Sequence, residues 1–172
     1  VTPHHLTLTD EAVLGHHDLD SPGPFSPLTP RAYDTHAKVS PPLRSRLDMD
    51  AMVKGLRDGV IDFVATDHAP HNRVSKQCTL EEAAFGISVL ETALGSLMSL
   101  VHAGDLPLPL LVEKLTAAPG AFLGGNLGTL RSGAPADVTI FDPDAEWVVD
   151  AGRFASKGKN TPLDGVTLRG RL

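Results

Sequence analysis

The 172-residue sequence is poor in several residue types, and each shortage excludes a class of protein. Cys78 is the single cysteine, so no disulfide can form within the chain, which fits a reducing cytoplasm. Aromatic residues make up only 5%, so the core must be filled mainly by the aliphatic part of a 41% hydrophobic composition. No apolar run approaches the roughly 18 residues of a membrane span. We expect a cytoplasmic protein with neither a signal peptide nor a membrane segment.

Positive charge is also scarce. The sequence has 15 Lys and Arg against 21 Asp and Glu, which gives a net charge of -6. Proteins that bind nucleic acids cluster Lys and Arg against the phosphates, and no basic stripe occurs here. The sequence therefore predicts no nucleic-acid partner.

The apolar patterns predict an α/β fold. We expect a strand end over residues 1–8, a helix that starts at Thr9 or Asp10, and a long proline-rich surface loop over 18–37. Helical spacing of apolar residues follows over 47–56, 87–103 and 108–115, and Asp58-Gly59 ends the first of these helices. The β-branched run over 60–65 is typical of a buried parallel strand. Helix, strand, loop, helix is the order of a parallel α/β fold.

Glycines punctuate the chain after about residue 124, where the pattern changes. Alternating residues predict strands over 136–142 and 146–150, joined by a turn over 142–145 into a hairpin. Residues 166–172 are a candidate third strand. We therefore place a domain boundary near residue 124, with a small β module behind it.

The loop Thr66–His71 directly follows the predicted strand, where catalytic groups of parallel α/β barrels lie. A carboxylate at Asp67 can bind a metal ion and accept a proton, and His71 can bind an anionic substrate. The alternative is that Asp67 caps a turn and that the histidines are solvated. The chemistry of the residues alone leaves both interpretations open.

Several segments resemble dihydroorotases of the amidohydrolase superfamily, in the order that the family has them. These segments are Val1–Leu6, Lys38–Arg44, Thr66–His71, Ala84–Ile87 with Leu90–Thr92, Gly133–Val138 and Asn160–Pro162. The resemblance covers nearly the whole chain. It implies the C-terminal part of a TIM-type (β/α)8 barrel over 1–124 and part of a small β-sandwich domain over 125–172. It also implies a zinc-dependent cyclic amide hydrolase that reversibly converts L-dihydroorotate to N-carbamoyl-L-aspartate in pyrimidine synthesis.

The resemblance also implies roles for individual residues. Asp67 matches an aspartate that binds a metal and shuttles a proton, and His71 matches a histidine that contacts the substrate carboxylate. Phe85 and Gly86 match a backbone segment that lines the substrate. Ser40 stands where the family usually has a substrate-contacting asparagine, and the loss of one polar contact costs about 1–3 kcal/mol.

The cofactor implied is one or two Zn²⁺ ions. In the family, a His-x-His pair, a bridging carboxylate and two further histidines complete the site, and these would precede Val1. We therefore expect this chain to be part of a longer protein and to be inactive alone, because one carboxylate does not hold a catalytic zinc. His4 and His5 lie downstream of the family's metal ligands, which favours a supporting role for both.

The implied partners are a small-molecule substrate, a second copy in a homodimer, and aspartate transcarbamoylase. Three alternatives remain open. The first is a related cyclic amidase, a hydantoinase or an allantoinase. The second is an inactive homologue that acts as a scaffold for a transcarbamoylase. The third is an unrelated α/β domain with chance matches.

Overall fold

The computed structural model describes residues 1–15, 28 and 31–172 of an α/β chain. The helices are α1 (Pro3–Thr7), α2 (Asp10–Val13), α3 (Arg46–Arg57), α4 (Ala93–His102), α5 (Leu108–Leu115) and α6 (Ala117–Leu123). The strands are β1 (Asp142–Val148) and β2 (Thr167–Arg171). The predicted loop over 18–37 lies largely outside the described residues, and its end, Thr35–Ala37, is a 3-10 turn. No helix in the described part of the chain is long and apolar enough to cross a membrane.

Within residues 1–8 the chain forms the short helix α1, Pro3–Thr7, so the predicted strand end is wrong. Pro3 lies in the first turn of α1, where its fixed φ angle and missing N–H fit a helix. Thr2 caps the helix, and its Oγ1 accepts a hydrogen bond from the His5 N–H at 3.4 Å. The predicted start of α2 is confirmed, because Thr9 Oγ1 accepts the Ala12 N–H.

Helix α3 confirms the periodicity of residues 47–56. Ser45 caps it by accepting the Asp48 N–H at 3.2 Å. Met49, Val53 and Leu56 line its buried side. The helix ends at Asp58 as the Asp-Gly pair predicts.

Residues 60–65 are not a strand among the described residues, which corrects the sequence prediction. Val60 is 79% exposed, whereas Val64 is 5% exposed. The Ala65 N–H donates to the carbonyl of Val1 at 2.8 Å and the Val64 N–H to the carbonyl of Lys114 at 3.1 Å. The Val1 ammonium also donates to the carbonyl of Phe63 at 3.2 Å, so two bonds go to Val1 and one to Lys114. A parallel strand needs a continuous ladder on its edges, and the described residues supply none here.

The predicted helix over 87–103 begins only at Ala93, as α4. Residues 90–92 form a turn, and before it Ile87 forms a parallel bridge with His68 and the Ser88 N–H donates to the carbonyl of Asn160 at 2.9 Å. Contacts distant in sequence thus override the apolar periodicity of 87–92. Helix α5 has the bounds predicted for it, whereas α6 was not predicted.

The predicted hairpin over 136–150 is also wrong. Residues 136–140 have no strand, and the proposed turn lies inside β1. The true partner of β1 is β2, the predicted third strand, and the two are antiparallel. Polar residues of the supposed turn instead mark an irregularity of register between Asp142 and Glu146, where Asp142 Oδ1 accepts the Asp144 N–H at 2.9 Å.

Two buried clusters form the core. One contains side chains from α1, α3, α4 and α5. The other joins Ile87 and Val89, which precede α4, to Val149, Phe154 and Leu168 near the C-terminal end. The C-terminal segment therefore packs directly beneath the loops that follow residue 65. The division near residue 124 stays a prediction.

Candidate active site

Asp67 occupies an unusual backbone position at the end of the extended segment 62–67. Its φ angle is +51°, in the left-handed region that aspartate tolerates better than most residues. Its side chain is 51% exposed and forms no hydrogen bond within the described part of the chain. The carboxylate therefore does not cap a turn and is accessible for chemistry.

His4 is the neighbour of this carboxylate. Its Nε2 atom lies 3.9 Å from Asp67 Oδ2, which is too long for a hydrogen bond. Burial, and secondarily the nearby His5, lowers the pKa of His4 to about 3, so the contact is with a neutral imidazole and is not an ion pair. Neither ring nitrogen has a partner among the described residues. A buried imidazole with two unsatisfied nitrogens can orient Asp67 after a shift of about 1 Å toward hydrogen-bond distance.

His5 has a different environment. Its Nε2 atom lies 3.0 Å from the carbonyl oxygen of Pro41, so Nε2 carries the proton and donates. Its Nδ1 atom then accepts from the hydroxyl of Thr2 at 2.7 Å. Both ring nitrogens of His5 are used within the protein, which supports the supporting role that the sequence favours over metal binding.

His68 anchors the loop that carries Asp67. Its Nδ1 atom accepts the backbone N–H groups of Val89 at 3.0 Å and Leu90 at 3.2 Å. Nε2 must therefore hold the proton, and it lies 3.3 Å from the hydroxyl of Ser156. One residue on, the Ala69 N–H donates to the carbonyl of Ile87 at 2.9 Å. The loop is thus connected to the segment before α4 and to the C-terminal segment.

His71 contacts the segment that the sequence predicts to line the substrate. Its Nε2 atom donates to the carbonyl of Phe85 at 2.8 Å, which leaves Nδ1 as the ring atom for a ligand, and Nδ1 must carry a proton to bind an anion. Gly86 has a φ angle of +141°, and a Cβ atom there would lie 2.6 Å from Ala69 Cβ. Only glycine permits this close approach of the two segments.

Ser40 belongs to the same group of loops. Its side chain is exposed, and two residues before it the carbonyl of Lys38 accepts the Gly86 N–H at 2.9 Å. The Lys38 ammonium lies 4.3 Å from the centre of the Phe85 ring. The structure thus connects Lys38, two residues before Ser40, to the segment of Phe85 and Gly86, which contacts His71.

Lys76 is a site residue that sequence reasoning missed. Its side chain is 1% exposed, and Nζ donates to the carbonyls of Ala84 at 2.6 Å, Thr35 at 3.0 Å and Lys38 at 3.4 Å. Burial lowers the pKa of Lys76 to about 8. The lysine lies in a polar stretch of sequence that is typical of a solvated surface, so nothing local indicates that it connects the segments of Lys38 and Ala84.

The described side chains can be compared with the ligands that a catalytic zinc ion requires. Within residues 1–15, 28 and 31–172, no group of three or more His, Cys, Asp or Glu side chains is arranged to hold a metal ion. Asp67 fits one position in a metal site because its carboxylate is accessible and unpaired. Three protein ligands are the usual minimum for catalytic zinc, so the described residues alone do not complete such a site.

The Cys78 thiol is free and lies 3.7 Å from the carbonyl of Ser75. Glu91 Oε1 accepts the Ser156 N–H at 2.9 Å, which connects the turn before α4 to the C-terminal segment. That contact gives Glu91 a structural role.

Comparison with known proteins shows that the chain belongs to the amidohydrolase family, whose sequence pattern matches residues 24–172. Among curated relatives, the dihydroorotase of Syntrophus aciditrophicus (strain SB) is 47% identical over 171 residues, 99% of this chain and 36% of the relative. The dihydroorotase of Pelotomaculum thermopropionicum is 49% identical over the same shares of the two chains. The chain thus spans about a third of the length of the relatives that it matches.

Solved structures give the same fold. The L-hydantoinase (dihydropyrimidinase) of Arthrobacter aurescens has a TM-score of 0.80 and 29% identity, over 99% of this chain and 36% of the other. A dihydropyrimidinase from Brevibacillus agri NCHU1002 has a TM-score of 0.78 at 21% identity, over 100% of this chain and 36% of the other. The second likeness shows the fold alone.

Proposed function

We propose that the whole protein to which this chain corresponds is a dihydroorotase, which reversibly hydrolyses L-dihydroorotate to N-carbamoyl-L-aspartate. One observation carries the proposal: curated dihydroorotases are 44–49% identical to this chain over nearly its entire length. The hydantoinase alternative rests on a solved structure that is 29% identical. The higher identity favours dihydroorotase.

We assign residues 1–124 to the C-terminal part of a (β/α)8 barrel and residues 125–172 to part of a small β-sandwich domain. Support for the barrel comes from the parallel bridge between His68 and Ile87 and from the position of Asp67 after an extended segment. A barrel would also supply the neighbouring strands that residues 60–65 lack here.

Asp67 is the proposed proton carrier and one metal ligand. Zinc, when bound, supplies Lewis-acid polarisation of the ring amide carbonyl. The accessible Asp67 carboxylate accepts a proton from the attacking water and passes it to the ring nitrogen as the amide C–N bond breaks. His4, buried beside Asp67, limits the orientations of that carboxylate.

Substrate binding is assigned to the connected loops. His71 binds the substrate carboxylate, the backbone of Phe85 and Gly86 lines the ring, and Ser40 faces the same space. The carboxylate is charged throughout the reaction, so its contacts contribute similarly in the ground state and the transition state and act mainly on KM.

The remaining proposals concern the metal ion, the cellular location and the assembly. We propose Zn²⁺ as the metal, with its other ligands supplied outside the described residues. We also propose a cytoplasmic homodimer that can associate with aspartate transcarbamoylase, a hypothesis that follows from the dihydroorotase assignment alone.

The experiment is a substrate comparison with the whole protein. Hydrolysis of dihydroorotate, dihydrouracil, hydantoin and allantoin is measured at equal metal content, and kcat/KM should be greatest for dihydroorotate. A higher kcat/KM for hydantoin or dihydrouracil would establish the related cyclic amidase instead. A folded, metal-loaded protein with no activity on any of the four would favour the inactive scaffold.

A further inference from the structure

Asn160 lies in the C-terminal segment, far in sequence from the loop that carries Asp67, yet its buried amide has a polar neighbour at every hydrogen-bonding position. Oδ1 accepts the His71 N–H at 2.8 Å. The Ser88 hydroxyl lies 2.8 Å from both Asn160 Oδ1 and the Gly158 carbonyl, and its one proton is shared between these two acceptors. Nδ2 donates to the carbonyls of Ala69 at 3.1 Å and Gly86 at 3.0 Å. The side chain is 3% exposed, so no water is needed to satisfy it.

The three bonds to His71, Ala69 and Gly86 connect the two loops on which the proposed substrate contacts lie. Ala69 and His71 belong to the loop after Asp67, and Gly86 belongs to the segment that lines the substrate. The same C-terminal segment packs closely below: a Cβ at Gly158 would lie 2.5 Å from Pro70 Cβ and 2.8 Å from the His71 nitrogen. One rigid amide therefore fixes the spacing between the loops.

We propose that Asn160 is a positioning residue for substrate binding, because it sets the relative placement of His71 and the Phe85–Gly86 backbone without touching the substrate. This inference rests on the proposed function. The 2.8 Å hydrogen bond from His71 Nε2 to the Phe85 carbonyl forms only when the two loops have the correct spacing. Asn160 bonds to the backbone of each loop. The competing interpretation is a satisfied buried amide that contributes to stability alone.

A double-mutant cycle separates the two interpretations. Asn160→Ala and His71→Ala are made singly and together in the whole protein, and KM and kcat for dihydroorotate are measured with metal content and Tm for each variant. A positioning role predicts that Asn160→Ala raises KM at least about tenfold when His71 is present, and less than about twofold in the His71→Ala background. The effect on kcat should be smaller than the effect on KM.

Two further variants complete the design. Asn160→Asp keeps the shape and both acceptor contacts but replaces the two N–H donors, so it should also raise KM. Asn126→Ala, at an exposed asparagine outside the site, should leave KM unchanged.

An equal rise of KM in both backgrounds, or no rise, would overturn the proposal. So would loss of the fold in both Asn160 variants, since the amide would then stabilise the chain as a whole. If the unaltered protein does not hydrolyse dihydroorotate, the proposed function fails and this inference fails with it. If the parent hydrolyses dihydroorotate and the effects of Asn160→Ala and His71→Ala are additive, only the positioning role of Asn160 is rejected.

Discussion

Two buried lysines show how differently two adjacent regions of the chain are organised. Lys76, next to the loops that are proposed to line the substrate, donates to three backbone carbonyls from separate segments. Lys114, beside residues 60–65, donates to one, the carbonyl of Ile61 at 2.9 Å. The loop region is thus fixed by side-chain donors of this chain, whereas residues 60–65 are held mainly by backbone bonds to Val1, Gly55 and Lys114, without a continuous ladder.

The comparison shows which residues determine the conformation of each region. Loop geometry is encoded by side chains that bond to backbone groups within residues 31–172. Strand geometry over 60–65 requires flanking strands, because only a neighbouring backbone can satisfy the groups along its edges. The following predictions test this contrast in the whole protein.

The largest effect is expected at Asp67. Asp67→Asn keeps the size and the exposed position of the side chain but cannot accept a proton and is a poorer metal ligand. We expect kcat to fall at least about 100-fold with an unchanged Tm. Near-parental kcat with a full metal complement would show that Asp67 does not carry the proton.

A smaller effect, on binding, is expected at His71. His71→Ala removes the imidazole that is proposed to contact the substrate carboxylate, so KM should rise about tenfold while kcat changes little. Steady-state hydrolysis of dihydroorotate measures both quantities. A loss of kcat at constant KM would place His71 in the chemical step.

Lys76→Met should destabilise the loop region. The substitution leaves the Ala84 carbonyl without its donor, so the free energy of unfolding should fall by about 1–3 kcal/mol and KM should rise. Urea unfolding and substrate kinetics measure the two effects.

The lowered pKa of Lys76 predicts how the stability difference between the parent and Lys76→Met changes with pH. Burial lowers the pKa from 10.5 in the reference state to about 8, so between these values the unfolded chain binds more protons than the folded one. The contribution of Lys76 to stability therefore rises with pH across that window. The stability difference between the parent and Lys76→Met should grow from about pH 7 to about pH 10. A difference that shrinks over this range would contradict the assigned cause.

Lys114→Met is the matched control and should have the smallest effect. It removes one ammonium–carbonyl hydrogen bond, so the free energy of unfolding should fall by about 1 kcal/mol. KM should stay at the parental value because Lys114 contacts none of the substrate-lining segments. A rise in KM equal to that of Lys76→Met would mean that the two regions are not separable.

Local signals in the sequence were sufficient for part of the fold. Thr9 is a side-chain cap and marks the start of α2 as predicted, and apolar spacing over 47–56 located α3. Apolar periodicity gave the bounds of α5. Position after an apolar run also placed Asp67 in a loop with an accessible carboxylate.

The errors arose where distant residues decide the structure. Residues 87–92 have helical periodicity but bond to His68 and Asn160, which lie about 20 and 70 positions away in the chain. Residues 136–140 alternate like a strand, yet β1 pairs with β2 instead. The roles of Lys76 and Asn160 depend on the same kind of long-range contact, so no local pattern reveals them.

The most direct test of the account is a chimera. The dihydroorotase of Syntrophus aciditrophicus has its matching C-terminal 36% replaced by this chain, and dihydroorotate hydrolysis is measured with bound metal. We predict an active, metal-loaded enzyme whose activity is lost on Asp67→Asn. A folded, metal-loaded chimera without activity would contradict the claim that this chain supplies the proton carrier and the substrate-binding loops of a dihydroorotase.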